Sequence, residues 1–285
     1  MEDGQRYRRE LLAAKNAAMG AGSIAISYYR QGVRTQMKDN GTPVTIADQE
    51  ANALITQYLA RAFPEDSIIS EEDADLVRQG RRQWYVDPID GTKSFIRGIG
   101  TFAVHVGLAD EGVPVLGVVY QPIGGRMYWG VDGVGAFKEE PVGSDLVSVP
   151  MCVDRNAIPR FAAVGYSQPS DARYMAMMHD LGLHRYITTG SEGLRAMAIA
   201  QGNADIRISD VPNRAHTWDL CAPHAILRAA GGYLSSLAGD VDYHGQREIG
   251  SPHVMAASEE SLRQGLDALV KYASFAKGQE LQVSH

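Results

Sequence analysis

The chain has 285 residues, of which 45% are apolar and 21% charged, and its formal net charge is −7. This balance is typical of a folded globular protein and excludes a disordered one. No basic block interrupts the acidic charge, so the sequence disfavours binding to a nucleic acid polymer or to an anionic membrane and favours a small ligand. The two cysteines form no CxxC pair, and no apolar run approaches the roughly 18 residues of a membrane span. A reducing, cytoplasmic location is therefore expected.

Two helices are predicted near the start of the chain. Leu12, Met19 and Ile26 recur every seven residues, with Leu11 and Ala18 beside them, which predicts one apolar face on a helix that ends near residue 32. Thr45 and Asp48 have capping-box spacing, which places Asp48 in the first turn of a second helix. The apolar face predicted for this second helix is formed by Leu54, Ile55, Tyr58 and Leu59.

The pattern changes near residue 68 to short β-rich runs separated by glycine and proline. Gly124 and Gly125 lie between two such runs and predict a hairpin turn, and Gly130, Gly133 and Gly135 are interpreted as further turn positions. The predicted strands of this region are 68–69, 84–86, 101–108 and 113–120.

Beyond residue 150 the pattern becomes an alternation of strands and helices. The sequence therefore predicts a mixed α/β (α+β) protein of two lobes. Residues 1–150 form an N-terminal α+β lobe, and residues 151–285 form a C-terminal α/β lobe. Small-molecule pockets tend to lie where two such lobes meet.

The most informative segment is an apolar strand that runs directly into two acids. Asp87 and Asp90 stand three residues apart at the predicted strand end, and the carbonyl of Ile89 lies between them. Carboxylate and carbonyl oxygens are ligands for hard divalent cations. The segment therefore predicts a site for Mg²⁺ or Mn²⁺.

Gly91 and Thr92 follow the second acid. Glycine lets the backbone approach a ligand closely, and if Thr92 begins a helical turn, the free amide groups there favour an anion such as phosphate. The same residues are common in surface turns, which is the alternative interpretation. The complete string of acids, glycine and threonine favours a shared metal and phosphate site.

Two further acidic positions are ambiguous when taken alone. The acidic run 70–73 follows the apolar pair 68–69, and it is either a solvated surface or a second set of metal ligands at a strand end. Asp219 begins a predicted helix and is either a simple capping residue or a ligand from the second lobe.

These elements, in this order, resemble the inositol monophosphatase family of lithium-sensitive, magnesium-dependent phosphomonoesterases. The similarity rests on the string 87–92 and on Trp218-Asp219 followed by the Ala-Gly-Gly ending at 230–232, and it spans nearly the whole chain. It implies a layered αβαβα sandwich, inhibition by Li⁺, a small phosphorylated metabolite as substrate, and relatives that are often homodimers. The implied ligands of up to three Mg²⁺ ions are Glu71, Asp87, the Ile89 carbonyl, Asp90 and Asp219.

The resemblance also implies roles in catalysis. In that family, water activated by the metals attacks phosphorus without a covalent phosphoenzyme, and the positions that match Thr92 and Asp48 orient this water. Glu71 is the third implied catalytic residue, and the second lobe selects the substrate. The implied substrate contacts are Gly91, Thr92, Lys93, Gly190, Ser191 and Lys38, although Lys38 also fits a solvated surface lysine.

Short segments favour one substrate over others. Segments 117–122, 190–194 and 217–223 are most similar to the 3′(2′),5′-bisphosphate nucleotidase branch, which removes the 3′-phosphate of adenosine 3′,5′-bisphosphate. Segments 82–84 and 94–98 instead resemble histidinol-phosphatases. Inositol monophosphatases share every implied catalytic position, so inositol 1-phosphate is a further alternative.

One departure weakens the inositol alternative. Inositol enzymes have a glutamate shortly before the final metal aspartate, where this chain has Pro212. Asp210 could replace that glutamate. Whether Asp210 or Glu192 contacts the substrate stays open at this stage.

Other classes fit the sequence less well. A haloacid-dehalogenase-type phosphatase needs an aspartate two residues before Asp90, where this chain has Pro88. A P-loop string is absent from the sequence. A non-catalytic metal- or phosphate-binding protein of the same fold is the alternative from another class, and magnesium-dependent phosphate release would distinguish it from an enzyme.

Overall fold

A computed structural model describes residues 6–31, 35–37, 43–210 and 215–280. Lys38 and Pro212, which the sequence predictions use, lie outside these residues. None of the helices in this part of the chain is long and apolar enough to span a bilayer. The helices are α1 (Arg8–Gln31), α2 (Ile46–Ala62), α3 (Thr92–Ile96), α4 (Ala172–Asp180), α5 (Glu192–Ala200), α6 (Thr217–Ala229) and α7 (Glu259–Glu280). The strands are β1 (Thr35–Met37), β2 (Pro43–Thr45), β3 (Ser67–Ser70), β4 (Arg82–Asp90), β5 (Ala103–Asp110), β6 (Val113–Gln121), β7 (Arg126–Val131), β8 (Gly135–Val142), β9 (Asp145–Met151), β10 (Phe161–Val164), β11 (Arg185–Thr188), β12 (Ile206–Ser209), β13 (Tyr233–Ser236) and β14 (His253–Ala256).

Two main sheets organise the described residues. The larger has seven strands in the order β3-β4-β5-β6-β7-β8-β9, and its first pair, β3 and β4, is parallel while the others are antiparallel. The smaller has five strands in the order β11-β10-β12-β14-β13, with parallel pairing from β11 to β12 and antiparallel pairing beyond.

The helices complete five layers. α1 and α2 pack against one face of the larger sheet, and α5 and α6 lie between the two sheets. α4 and α7 contribute apolar side chains to the core on the outer side of the smaller sheet. The predicted αβαβα sandwich is therefore confirmed.

The buried face of α1 differs from the predicted one. The helix is present, but Leu12 is 61% exposed and Met19 is 45% exposed. Its buried face consists of small residues, namely Ala13, Ala14, Ala17, Ala18, Ala21 and Ala25. The reason is close packing: a Cβ at Gly22 would lie 2.4 Å from the Tyr120 ring of β6. Of the predicted face, Ala18 is fully buried and Leu11 packs against the core, so the sequence predicted the helix correctly and its buried face only in part.

The predicted hairpin at Gly124 and Gly125 is confirmed. Both glycines have positive φ, +97° and +64°, in the turn between β6 and β7. That conformation is strained for residues with a Cβ, which explains the glycines. The prediction that Gly130 lies in a turn is wrong, because this residue lies inside β7.

Three glycines in register form a groove for α6 across the larger sheet. Gly107 of β5 pairs with Gly117 of β6, which pairs with Gly130 of β7. A Cβ at Gly117 would lie 2.1 Å from the carbonyl oxygen of Ala222, and a Cβ at Gly130 would lie 2.7 Å from Ile226 Cα. The backbone of α6 therefore rests directly on the sheet, which fixes the position of the acid in its first turn.

Candidate active site

Asp87 and Asp90 lie at the end of β4, where its pairing with β5 is irregular. Asp87 is opposite His105 and Asp90 is opposite Ala103, so three steps along β4 match two along β5. In a regular strand, residues three apart point to opposite faces, whereas a bulge brings them to the same side. Carboxylate oxygens of the two residues do lie within 4.8 Å of each other.

Asp219 joins these two acids from a distant part of the chain. One carboxylate oxygen of each of the three residues lies within 4.8 Å of the others. Asp219 also caps α6, since its Oδ2 accepts a hydrogen bond of 2.6 Å from the backbone N–H of His216. The two interpretations of Asp219 are therefore compatible: the cap orients the carboxylate, and the glycine groove under α6 brings it to β4.

Glu71 and Asp48 add negative charge near Asp87. Glu71 directly follows β3, and its backbone N–H bonds the carbonyl of Val86 over 3.2 Å, which sets it beside Asp87. Asp48 is fully buried in the first turn of α2, where the predicted capping box with Thr45 is present. Glu71 is thus close enough to Asp87 for its charge to raise the pKa of that carboxyl.

The protonation of Asp87 is perturbed by these neighbours. Burial raises the pKa of Asp87 well above its usual value, and the charges of Glu71, Asp90, Asp219 and Asp48 raise it further. Several carboxylates converging on a buried position repel one another unless cations offset their charge. An all-oxygen donor set of this kind suits a hard divalent cation such as Mg²⁺ or Mn²⁺. The residues present therefore fit the implied metals.

The pKa of Asp90 is shifted in the opposite direction by polar and basic groups of β5 and of the start of α5. Ser191 Oγ donates to Asp90 Oδ2 over 2.5 Å, and the backbone N–H of Gly193 donates to the same oxygen over 3.0 Å. Burial raises the pKa of Asp90, but His105, Arg195 and Ser191 lower it more strongly, so the net shift is downward. The carboxylate also lies at the N-terminus of α5, which favours negative charge. Ser191, a predicted substrate contact, therefore bonds a candidate metal ligand.

The segment after Asp90 forms the predicted helical turn. Gly91 has φ +95°, in the left-handed region, and a Cβ there would lie 3.2 Å from the Gly190 carbonyl carbon. The short helix α3 begins at Thr92. Thr92 Oγ1 donates to the Ile89 carbonyl over 3.1 Å, so the threonine hydroxyl and the candidate carbonyl ligand are held together.

A cavity of about 500 Å³ opens beside the acidic cluster. Its lining includes Asp90 and Asp219, together with Lys93 of α3 and Arg97, which directly follows that helix. This volume accommodates a small metabolite. Gly190, Glu192 and Asp210, which the sequence predictions also considered, line the cavity as well. Two further cationic side chains in the lining are Arg195 and Arg207.

A buried ion network that the sequence predictions missed forms part of the cavity wall. Glu192 Oε1 lies 3.0 Å from Arg207 Nε, and Glu192 Oε2 accepts from Arg195 Nε over 3.1 Å. Burial raises the pKa of Glu192, but the charges of Arg195 and Arg207 outweigh it, so the pKa lies well below its usual value. The available signal was Arg207, a charged residue between the apolar residues Ile206 and Ile208.

The fold and the site together define a phosphoric monoester hydrolase. The sequence model of the inositol monophosphatase family matches residues 7–274, and the chain belongs to that family. The 3′(2′),5′-bisphosphate nucleotidase CysQ of Shigella flexneri is 35% identical over 210 residues, which are 72% of this chain and 81% of that protein. A histidinol-phosphatase of Chlorobaculum parvum is 29% identical over 264 residues, 92% of this chain and 96% of that protein. The crystal structure of CysQ from Bacteroides thetaiotaomicron superimposes with a TM-score of 0.72 at 28% identity, covering 89% of this chain and 99% of that one.

Proposed function

We propose that this chain is a Mg²⁺-dependent phosphatase whose main substrate is adenosine 3′,5′-bisphosphate. The observation that carries the proposal is the convergence of Asp87, Asp90 and Asp219 within 4.8 Å at the edge of a 500 Å³ cavity that also contains cationic side chains. The acids would hold the metals, and the cavity would hold the phosphate ester.

In this proposal the cations are held by Asp87, Asp90, Asp219, Glu71 and the Ile89 carbonyl. Bound divalent cations would neutralise charge on the phosphoryl oxygens and make water a stronger nucleophile. The chain's own groups orient that water. The proton of Thr92 Oγ1 is committed to the Ile89 carbonyl, so its oxygen lone pairs can accept a hydrogen bond from the water.

Glu71 and Asp48 complete the proposed catalytic set. Asp48 Oδ2 accepts from both the backbone N–H and the hydroxyl of Thr45, over 2.8 and 2.6 Å, which fixes its orientation. Glu71 lies beside Asp87 and in this proposal accepts a proton from the attacking water. Gly91 and Lys93 would contact the phosphoryl group, and Gly190 and Ser191 would bound the substrate from the second lobe.

The substrate assignment rests on the charges of the cavity. Lys93 lies on α3 and Arg97 directly follows this helix, and both line the cavity. Two cations there favour an ester that carries a second phosphate, which a neutral polyol phosphate lacks. The identity to a bisphosphate nucleotidase supports the same choice. Histidinol phosphate is the second candidate, because a histidinol-phosphatase is similar over almost the whole chain.

A phosphate-release panel tests the proposal. The metal-stripped enzyme would be assayed with adenosine 3′,5′-bisphosphate, inositol 1-phosphate, histidinol phosphate and fructose 1,6-bisphosphate, with and without Mg²⁺ or Mn²⁺. We expect the highest kcat/KM for adenosine 3′,5′-bisphosphate with Mg²⁺. Adenosine 3′-phosphate, assayed beside these four compounds because it lacks the second phosphate, should give a lower value. If the nucleotide is the poorest of the four, the substrate is wrong. If Mg²⁺ supports release from none of them, the non-catalytic alternative is preferred.

Several finer expectations belong to the same proposal. Li⁺ would inhibit by competing at a Mg²⁺ site, and activity that is indifferent to millimolar Li⁺ would contradict this. We also propose a division at residues 150 and 151, a cytoplasmic location and a homodimer. Sedimentation of the purified chain would test the last of these.

A further inference from the structure

A buried histidine next to the acidic cluster has no part in the proposed mechanism. His105 lies on β5, opposite Asp87 in the strand register, and is fully buried. Neither of its ring nitrogens makes a hydrogen bond to the described residues. Burying a polar group without a hydrogen bond costs free energy, so a ring kept in this position requires an explanation.

The ring is aimed at a candidate metal ligand. His105 Nε2 lies 3.1 Å from Asp90 Oδ2, the oxygen that also accepts from Ser191 and Gly193. The distance is that of a hydrogen bond although the alignment is not.

Gly193 provides a second, independent observation. A Cβ at residue 193 would lie 2.1 Å from His105 Nε2, far closer than atoms can approach. The absence of a side chain at Gly193 therefore allows the imidazole and the α5 amide to reach the same oxygen of Asp90. Position 193 of α5 therefore has to be glycine for the His105 ring to occupy its present position.

We propose that His105 is a positioning residue of the metal centre, which holds the Asp90 carboxylate through Nε2 in the orientation that binds a divalent cation. This inference rests on the proposed metal site. Side chains that hold metal ligands typically change metal affinity by 10- to 100-fold when they are lost. The effect of His105 is therefore expected in metal affinity first, and in kcat at saturating metal much less.

Two variants at one position test the proposal. His105→Leu keeps a similar volume but removes the donor, whereas His105→Gln can place an amide nitrogen near the position of Nε2. We expect His105→Leu to raise the Kd for Mg²⁺ by roughly 10- to 100-fold, and His105→Gln to recover most of that loss. Calorimetric titration with Mg²⁺ and electron paramagnetic resonance with Mn²⁺ would measure binding without reference to activity. The unfolding midpoint in EDTA would report the structural cost of each variant.

His253 offers a matched control. It is also buried, and its ring nitrogens also make no hydrogen bond within the part of the chain that the structure describes. Its Nε2 lies 3.8 Å from Glu192 Oε1 rather than beside a candidate metal ligand. We expect His253→Leu to leave the Kd for Mg²⁺ unchanged, whatever its effect on the unfolding midpoint. A wild-type Kd in His105→Leu would overturn the proposal, and so would equal losses in His105→Leu, His105→Gln and His253→Leu. If the wild-type protein binds neither Mg²⁺ nor Mn²⁺, the metal site itself is wrong, and the inference falls with it.

Discussion

Asp87 and Asp90 stand three residues apart in very different surroundings. Burial and neighbouring carboxylates raise the pKa of Asp87 well above its usual value. For Asp90, burial is outweighed by His105, Arg195 and Ser191, and the pKa is lowered. Neighbouring protein groups therefore favour the charged form of Asp90, whereas the surroundings of Asp87 disfavour its charged form.

We predict that Asp90→Asn abolishes measurable turnover while the protein stays folded. The amide can still accept from Ser191 and Gly193 through its oxygen, so the contact between β4 and α5 persists. It cannot supply the charge that a divalent cation requires. Metal chemistry contributes several kcal/mol, so we expect kcat/KM to fall by roughly 10³-fold or more. Steady-state phosphate release at saturating Mg²⁺ would measure this, with circular dichroism as the test of folding.

The control for that experiment is Asp132→Asn. Asp132 is an exposed acid whose side chain lies 3.6 Å from Arg228, outside the cavity lining. This variant removes the same charge and should keep kcat/KM close to that of the wild type. Full activity in Asp90→Asn would contradict the assignment of this acid to the metals.

At the scale of elements, the position of α6 determines where Asp219 lies. The helix rests on Gly107, Gly117 and Gly130, and a Cβ at Gly117 would lie 2.1 Å from the Ala222 carbonyl oxygen. We predict that Gly117→Ala pushes α6 away from the sheet, lowers the free energy of unfolding by about 1–3 kcal/mol, and weakens Mg²⁺ binding. Chemical unfolding and calorimetric titration would measure the two effects.

Gly133→Ala is the matched control for Gly117→Ala. Gly133 has φ +77° in a hairpin, and a Cβ there would meet no atom within 4 Å. This substitution should cost only the backbone strain, on the order of 1–3 kcal/mol, and should leave Mg²⁺ binding unaltered. Equal Mg²⁺ affinity in both alanine variants would contradict the proposed role of the groove.

Glu192 connects α5 to β12 through a buried ion network. Burial opposes its charge, but Arg195 and Arg207 hold its pKa well below the usual value of 4.5. Because the folded-state pKa is depressed, the stability that Glu192 contributes is fully present above about pH 4.5 and is lost as the pH falls through the folded-state pKa. We predict that Glu192→Gln costs about 3–5 kcal/mol at neutral pH, since it leaves buried guanidinium groups without a counter-charge.

The pH dependence distinguishes this network from simple packing. Urea unfolding of the wild type and of Glu192→Gln would be compared at about pH 7 and at about pH 3.5. The difference in unfolding free energy between the two proteins should shrink at the lower pH, because the carboxylate of Glu192 is then largely protonated in the unfolded wild-type chain and folding has to release that proton. A difference that stays constant between the two pH values would show that charge is not the cause.

For the whole molecule, the features predicted from the sequence are those fixed by short stretches of chain. The capping box at Thr45 and Asp48 and the turn at Gly124 and Gly125 depend on neighbouring residues alone, and both are present. The convergence of Asp219 with the two acids of β4 could be predicted as well, but only through the resemblance to a family. No local pattern places a residue of α6 beside β4.

The features that the sequence did not reveal depend on partners far away along the chain. The sequence did not fully distinguish the exposed side of α1 from its buried side. The close fit of small residues against β6 and α2 determines which side is buried. Gly130 was interpreted as a turn residue, although its function is to accommodate a helix nearly one hundred residues later in the chain. His105 and Arg207 lie between apolar residues in β5 and β12. Their partners, Asp90 and Glu192, are identified only from the three-dimensional structure.

Metal binding is expected to stabilise the whole molecule against unfolding. Asp219 comes from the helix layer between the sheets, and Asp87 and Asp90 come from β4. A cation shared by them would hold both elements in the folded state and would have no such site in the unfolded chain. We predict that Mg²⁺ at 100 times its Kd raises the free energy of unfolding by about 2.7 kcal/mol relative to EDTA. Asp219→Asn should lose most of this increment, whereas Asp242→Asn, which changes an exposed acid, should keep it. The measurement is urea unfolding across a Mg²⁺ titration, and an unfolding free energy that does not respond to Mg²⁺ in the wild type would contradict the shared site.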